Sequence, residues 1–218
     1  MAIFPGSAIP SAAEDYTIEN SLRVRDNAYL SRTPASTGNR KTWTWSGWVK
    51  RGNIAATGDS WQVIFSAGRS SPTEDRTELS WESGDEFRIV SMDNGSNAIA
   101  LMTTQVFRDV SAWYHIVVAM DTTQSVEADR VKLYVNGSQV TAFGTETYPP
   151  EDDDTYMNYD AIPEFVGSDY AHSADFDGYL AEVYFIDGTA YDADDFGELK
   201  STTNQWIPLD SDDVKDAV

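Results

Sequence analysis

The sequence predicts an all-β protein, built as a two-sheet antiparallel sandwich or barrel. Three observations carry this. About a dozen short runs alternate apolar with polar residues, the period of a strand that buries one face. Turn residues (Gly, Asn, Asp, Ser) recur roughly every 8–12 residues. Helical periodicity is nearly absent along the 218 residues. At 41% hydrophobic and 12% aromatic, the chain has ample material for one core.

Residues 1–20 are rich in Ala, Pro and Ser and show no periodicity, so they read as an extended arm. "SLRVRDNAYLSRT" offers Leu22 and Val24, then Ala28 and Leu30, around an Asp-Asn break. "KTWTWSGWVKR" puts three tryptophans into six positions. With period two, Trp43, Trp45, Gly47 and Val49 share an apolar face. Trp48 falls on the other face, with Thr42, Thr44, Ser46 and Lys50. A bulge at Ser46-Gly47 would turn Trp48 inward; the ring reads first as packed under a loop or sheet edge, with an exposed platform as the alternative.

"WQVIFSAG" alternates Trp61, Val63, Phe65 and Ala67, and "TELSW" and "EFRIVSM" follow, the latter with Phe87 and Ile89 inward. "AWYHIVVAMD" is apolar on both faces and reads as a central strand covered on each side. "RVKLYVNGSQVTAF" is the clearest hairpin, with Asn136-Gly137 at a type I′ turn and Val140, Ala142 and Phe143 returning along the partner. "TYPPEDDDTYMNYD" is an acidic loop and "EFVGSDY" a short strand. "DFDGYLAEVYFIDGTAY" is a strand with Tyr179, Ala181, Val183 and Phe185 on one face. "DADDFGEL" makes one helical turn capped by Asp192. Residues 201–218 are acidic apart from Trp206-Ile207 and read as a second extended arm.

Charge excludes one class of partner. The chain carries 36 acidic and 15 basic residues, a net of −21. Residues 111–218 alone hold 23 acidic and 4 basic groups. That field repels nucleic acid. It suits solvation, divalent cations or a basic partner. With no cysteine, no disulfide or thiolate metal site is available. No run approaches the ~20 apolar residues of a membrane span. The start, "MAIFPGSAIPSAAEDY", lacks a basic region and has Pro5 and Pro10 in its apolar stretch, unlike a signal peptide.

Four stretches, in order, then carry a resemblance: "TWTWSGWVKR", "AWYHIVVAMD", "VKLYVNGSQV" and "FDGYLAEVYFIDGTAY". Together they resemble the laminin-G-like and pentraxin-like jelly roll of concanavalin A type, over about residues 21–200. The resemblance implies two antiparallel sheets packed face to face, flanked by arms at 1–20 and 201–218. More narrowly, "MAIFPGSAIPSAAEDYTIENS" followed by "AYLSRTPASTGNRKTWTWSGWVKRG" resembles structural proteins of phages of marine bacteria. That implies a virion-surface fibre, knob or decoration, made in the host cytoplasm, contacting other virion proteins and trimeric like most phage fibres. Ile3, Phe4, Ile9 and Trp206 are then the expected assembly residues, because apolar side chains on arms need a partner to cover them.

A host-glycan lectin is the alternative, with Trp48 and Tyr170 as the first candidate platforms and Trp61, Trp81, Tyr156 and Tyr159 behind them. A glycoside hydrolase is expected least. The glucanase strand pattern has its nearest match at Glu127-Ala128-Asp129, where Val131 and Lys132 occupy both places for the second Glu. His115 reads as a packed strand residue and His172 as a loop residue. No catalytic residue and no required cofactor are expected. Calcium is the one ion the resemblance implies, at Asp75, Asp169 and Asp175 by position. The run Asp152, Asp153 and Asp154, with Asn158 and Asp160, is a second acidic candidate that reads mainly as a solvated loop.

Overall fold

The computed structural model describes residues 16–25, 27–54, 61–69 and 74–218. The expected assembly residues Ile3, Phe4 and Ile9 lie outside the described residues. In chain order the strands are β1 (Leu22–Val24), β2 (Leu30–Arg32), β3 (Thr42–Arg51), β4 (Gln62–Gly68), β5 (Arg76–Trp81), β6 (Glu86–Asp93), β7 (Ser96–Val106) and β8 (Tyr114–Asp121). They continue with β9 (Val131–Val135), β10 (Ser138–Gln139), β11 (Phe143–Thr147), β12 (Glu164–Val166), β13 (Gly178–Asp187), β14 (Gly197–Leu199) and β15 (Trp206–Pro208), and end in a helix, α1 (Ser211–Ala217).

One sheet runs β1-β13-β3-β8-β9-β10 and the other β11-β7-β6-β5-β4-β12-β2, while β14 and β15 pair as a ribbon. The two large sheets are antiparallel and make the jelly-roll sandwich that the sequence predicts. Trp43, Trp45 and Val49 on β3 are fully buried between them, with Leu79, Trp81, Phe87 and Ile89 from the facing sheet. Trp48 points away from this core, as the period-two reading has it. The bulge considered at Ser46-Gly47 is not there: β3 pairs with β8 in unbroken register from Thr42 to Val49. Gly47 has another reason. A Cβ there would stand 2.8 Å from the Trp45 ring, so the glycine lets that indole lie flat along its own strand.

β8 is covered on both faces, as its composition requires. Ile116, Val118 and Met120 enter the main core. Val117 enters a second one, with Ala193, Phe196 and Val214 and, around them, Tyr134, Tyr184, Ile186, Tyr191, Trp206 and Leu209. This second core corrects the expectation of an extended C-terminal arm. Residues 201–218 fold back as β15 and α1 onto the outer face of the six-stranded sheet. The physical reason is the apolar outer face of β8 and β13, which costs free energy unless something covers it. The predicted turn is present as a 3-10 turn, Ala193–Asp195, and Asp192 closes a capping box with Asp195.

β13 also departs from the pattern. Its pairing with β3 slips between Ala181 and Tyr184, because Glu182 sits at φ +45° and adds one residue. Phe185 therefore turns into the main core while Tyr184 and Ile186 join the outer one. The expected single face of Tyr179, Ala181, Val183 and Phe185 does not exist.

The hairpin reading holds at its turn: Asn136 has φ +48° and Gly137 φ +79°. On the return strand it holds only in part: Ser138 and Gln139 pair with β9 and the Val140 N–H donates to the Leu133 carbonyl at 2.8 Å, but Phe143 opens β11 in the other sheet. At the end of β3, Arg51 is buried with its side chain wholly inaccessible. Its guanidinium donates to Asp85 Oδ1 at 2.8 Å, to the Phe107 carbonyl at 2.6 Å and to Gln62 Oε1 at 3.2 Å, and lies over the Trp81 ring. Burial pulls its pKa below the ordinary arginine value against the opposing pull of Asp85.

Candidate functional site: a tryptophan groove on the outer face

The folded-back C-terminus does more than cover the sheet. It leaves a groove of about 440 Å³ between itself, the outer face and the incoming residues 16–21. Trp48 from β3, Trp113 just before β8 and Trp206 from β15 line it, with Ala181, Ile207 and Pro208. The polar lining comes from Glu19 and Asn20 on one wall and from Lys200 and Gln205 on the other. All three indoles are half-buried, so each is held on one side and open on the other. A volume in the range of ligand sites, ring faces and a few placed polar groups make a recognition surface.

His115 holds two of the rings. It is 1% exposed, stacks on Trp48 at 5.0 Å and meets Trp206 edge to edge, the two rings 22° from coplanar with centroids 6.0 Å apart. Trp206 Nε1 donates to His115 Nδ1 at 3.0 Å, so Nδ1 carries no proton and the neutral ring is protonated on Nε2. Nε2 then donates to Ser46 Oγ, 3.0 Å away. Burial pushes the His115 pKa down to about 3. Asn136 fixes the strand beneath it: its Oδ1 accepts from the His115 backbone N–H at 2.8 Å, and its own N–H donates to the His115 carbonyl at 2.9 Å. His115 is thus a packed residue, as its place in the strand implies, and it positions the groove's aromatic wall.

A pH dependence follows. The unfolded chain protonates His115 near pH 6.5, and the folded chain does so only near 3. Between those values the unfolded state binds one proton more, so this residue lowers stability as pH falls, by about 1.4 kcal/mol per pH unit. Urea titrations from pH 7 to pH 5 should show that slope, and His115→Gln should lack it. A His115 ring, assigned by NMR, that titrates near pH 6.5 in the folded chain would contradict the burial.

Opposite the C-terminal wall, the segment entering β1 is tied down by Glu182 at the β13 bulge. Tyr16 donates to Glu182 Oε1 at 3.1 Å, and Tyr184 donates to Oε2. Desolvation first, and this carboxylate second, raise the Tyr184 phenol above its usual value.

The residues expected from the sequence fare differently. Trp48 lines the groove. Tyr170 does not: it packs at the other sheet, where a Cβ on Gly68 would meet its ring at 2.8 Å. Trp81 and Tyr156 are core, and Trp61 lies beneath the Arg88 guanidinium at 4.9 Å. Trp206 as an arm residue reaching for a partner is corrected, because its ring is engaged within the chain by His115 and by the turn at Gly137.

The calcium candidates are occupied by the chain's own donors. Asp75 pairs with Arg69 at 2.9 Å and accepts from the Asn94 N–H. Asp169 accepts from the N–H groups of Ser173 and Ala174 and from the Ser173 hydroxyl. Asp175 accepts from Ser168 Oγ at 2.6 Å. Asp152 pairs with Lys41 and Asp154 with Arg40. Among the described residues no three such side chains converge as a metal site. Trp113, Lys200, Gln205 and the 16–21 wall were not foreseen. The dense tryptophan content near β8 was the one available signal for them.

Two facing antiparallel sheets with an aromatic-lined groove on the outer face define a lectin-like jelly-roll fold. The chain belongs to the concanavalin A-like lectin/glucanases superfamily, whose laminin-G-type model matches residues 25–194. No curated protein matches it. Among solved structures it is similar to a heptameric SAP-like pentraxin of Limulus polyphemus (15% identity, 76% of this chain and 73% of that one, TM-score 0.51). It is also similar to the CBM40 module of a Ruminococcus gnavus sialidase, solved with α2,3-sialyllactose (14% identity, 76% and 94%, TM-score 0.50). A third similarity is to tailspike protein 2 of the Escherichia coli O157:H7 bacteriophage CAB120 (12% identity, 82% of this chain and 24% of that one, TM-score 0.53). At these identities the likeness is one of fold.

Proposed function

We propose that this chain is a non-enzymatic saccharide-binding module displayed on a phage particle, with the tryptophan groove as its binding site. The observation that carries the binding is the convergence of Trp48, Trp113 and Trp206 on one groove. Apolar faces of sugar rings stack on indoles, while amide and carboxylate groups beside them take the hydroxyls. The groove supplies both, and direct hydrogen bonding needs no bound ion. The particle context draws on the resemblance of stretches within residues 1–52 to phage structural proteins, and on the shared fold of a tailspike. In this reading the chain is a fibre, knob or decoration, assembled as a homotrimer, that touches other virion proteins through its first residues and host glycans through the groove.

A glycan array, run in calcium and in chelator, tests the binding. Saturable binding unaffected by chelator and weakened about 100-fold or more in Trp48→Ala is the expected result, since one stacked ring contributes on the order of 2–3 kcal/mol. Binding that survives in Trp48→Ala would move the site elsewhere. Release of reducing sugar from a bound ligand would overturn the non-enzymatic assignment.

A further inference from the structure

We infer that the saccharide the groove takes is neutral, and that anionic sugars are excluded. This rests on the saccharide reading above and narrows it to a substrate class. The lining itself is balanced, with one acid, Glu19, and one base, Lys200, and with the amides of Asn20 and Gln205 as its other long polar side chains. Lys200 already has partners of its own. Recognition of a carboxylate or sulfate needs a cation free to pair with it, best a guanidinium in bidentate contact. Arg23 lies 4.8 Å from the Tyr179 ring, next to Trp113, and its guanidinium is committed: it pairs with Asp177 at 2.6 Å and donates to the Gly178 carbonyl at 2.9 Å.

The surroundings add repulsion. The Glu182 carboxylate anchors the wall from behind through Tyr16 and Tyr184. The turn at Asp192, Asp194 and Asp195 and the first turn of α1, with Asp210, Asp212 and Asp213, crowd the same outer face. β8, β9, β13 and the C-terminal cover of this face come from residues 111–218, which hold 23 acidic and 4 basic groups. A neutral sugar does not feel that field. An anionic one pays for entering it, and the one cation of the lining, Lys200, is already engaged.

The experiment is fluorescence titration of the full chain and of Trp48→Ala. The probes are neutral cello-, malto-, arabino- and galacto-oligosaccharides, set against 3′-sialyllactose, oligogalacturonides and sulfated galacto-oligosaccharides, each at about 20 mM and 300 mM salt. The expected result is Trp48-dependent binding of a neutral series with little salt dependence, and anionic probes weaker by about tenfold or more at low salt. An anionic probe that binds as tightly through Trp48 overturns the neutrality and leaves the saccharide reading standing. If no probe binds in a Trp48-dependent way, both are overturned.

Discussion

Asp85→Asn should destabilise the protein by about 3 kcal/mol or more, read as a lower urea midpoint at unchanged slope. Arg51 has no access to water, and Asp85 is its charge partner inside the sandwich. Removing that charge leaves a buried guanidinium with only neutral acceptors, the Phe107 carbonyl and Gln62. The variant is chosen for its backbone. Asp85 sits at φ +72°, a conformation that asparagine tolerates, so the loss measures charge and not strain. Asp85 also pairs with Arg108 at 3.0 Å, but that partner is largely exposed and contributes little. Adding Arg51→Met should recover much of the loss, because an apolar side chain in the same space needs no counter-charge. If the double variant is no more stable than Asp85→Asn alone, the ion pair is not the cause.

Gly137→Val is the second large effect, and it couples stability to the groove. Positive φ at a β-branched residue costs about 1–2 kcal/mol. The side chain also has nowhere to go, since a Cβ at Gly137 would stand 2.3 Å from the Trp206 ring. Either the turn or the indole must move, and Trp206 is held by His115. The expected total is about 3 kcal/mol or more, with a shifted tryptophan emission and weaker saccharide binding. Gly95, in the equivalent turn between β6 and β7, has φ +73° and nothing within 4 Å of its Cβ position. Gly95→Val should therefore show the backbone cost alone. Equal losses at the two glycines would mean that Trp206 does not sit where this account has it.

The pair also shows what the sequence makes legible. Asn136-Gly137 and Asn94-Gly95 are the same signal, yet only the first stands between two alternating runs. β7 alternates too weakly to mark itself: Asn97, Ala98, Ala100, Met102 and Thr104 share its outer face with no sharp contrast to the inner one. β3, β6 and β8 are readable because burial on one or both faces forces their composition. The main core and the capped turn at Asp192 follow from local rules. The groove does not. Its three indoles come from positions 48, 113 and 206, and their meeting depends on the C-terminal residues turning back onto the sheet. Nothing local specifies that turn. It is dictated by the apolar outer side of β8, which the sequence displays, and by Trp206, Leu209 and Val214, whose destination it does not. The acidic residues are hard to read for a related reason: a carboxylate looks the same in sequence whether it awaits an ion or accepts from its own backbone, as Asp169 does.

The extra residue at Glu182 makes β13 a strand of two parities. Before it, even-numbered residues such as Leu180 point to the main core; after it, odd-numbered Phe185 does. Each half satisfies a different demand, the first toward β1 and the second toward the C-terminal cover. Chain length in this strand is thus a code and not a spacer. Losing one residue between Ala181 and Tyr184 would restore unbroken pairing with β3 and leave everything downstream on its present face, while losing two would exchange inside for outside.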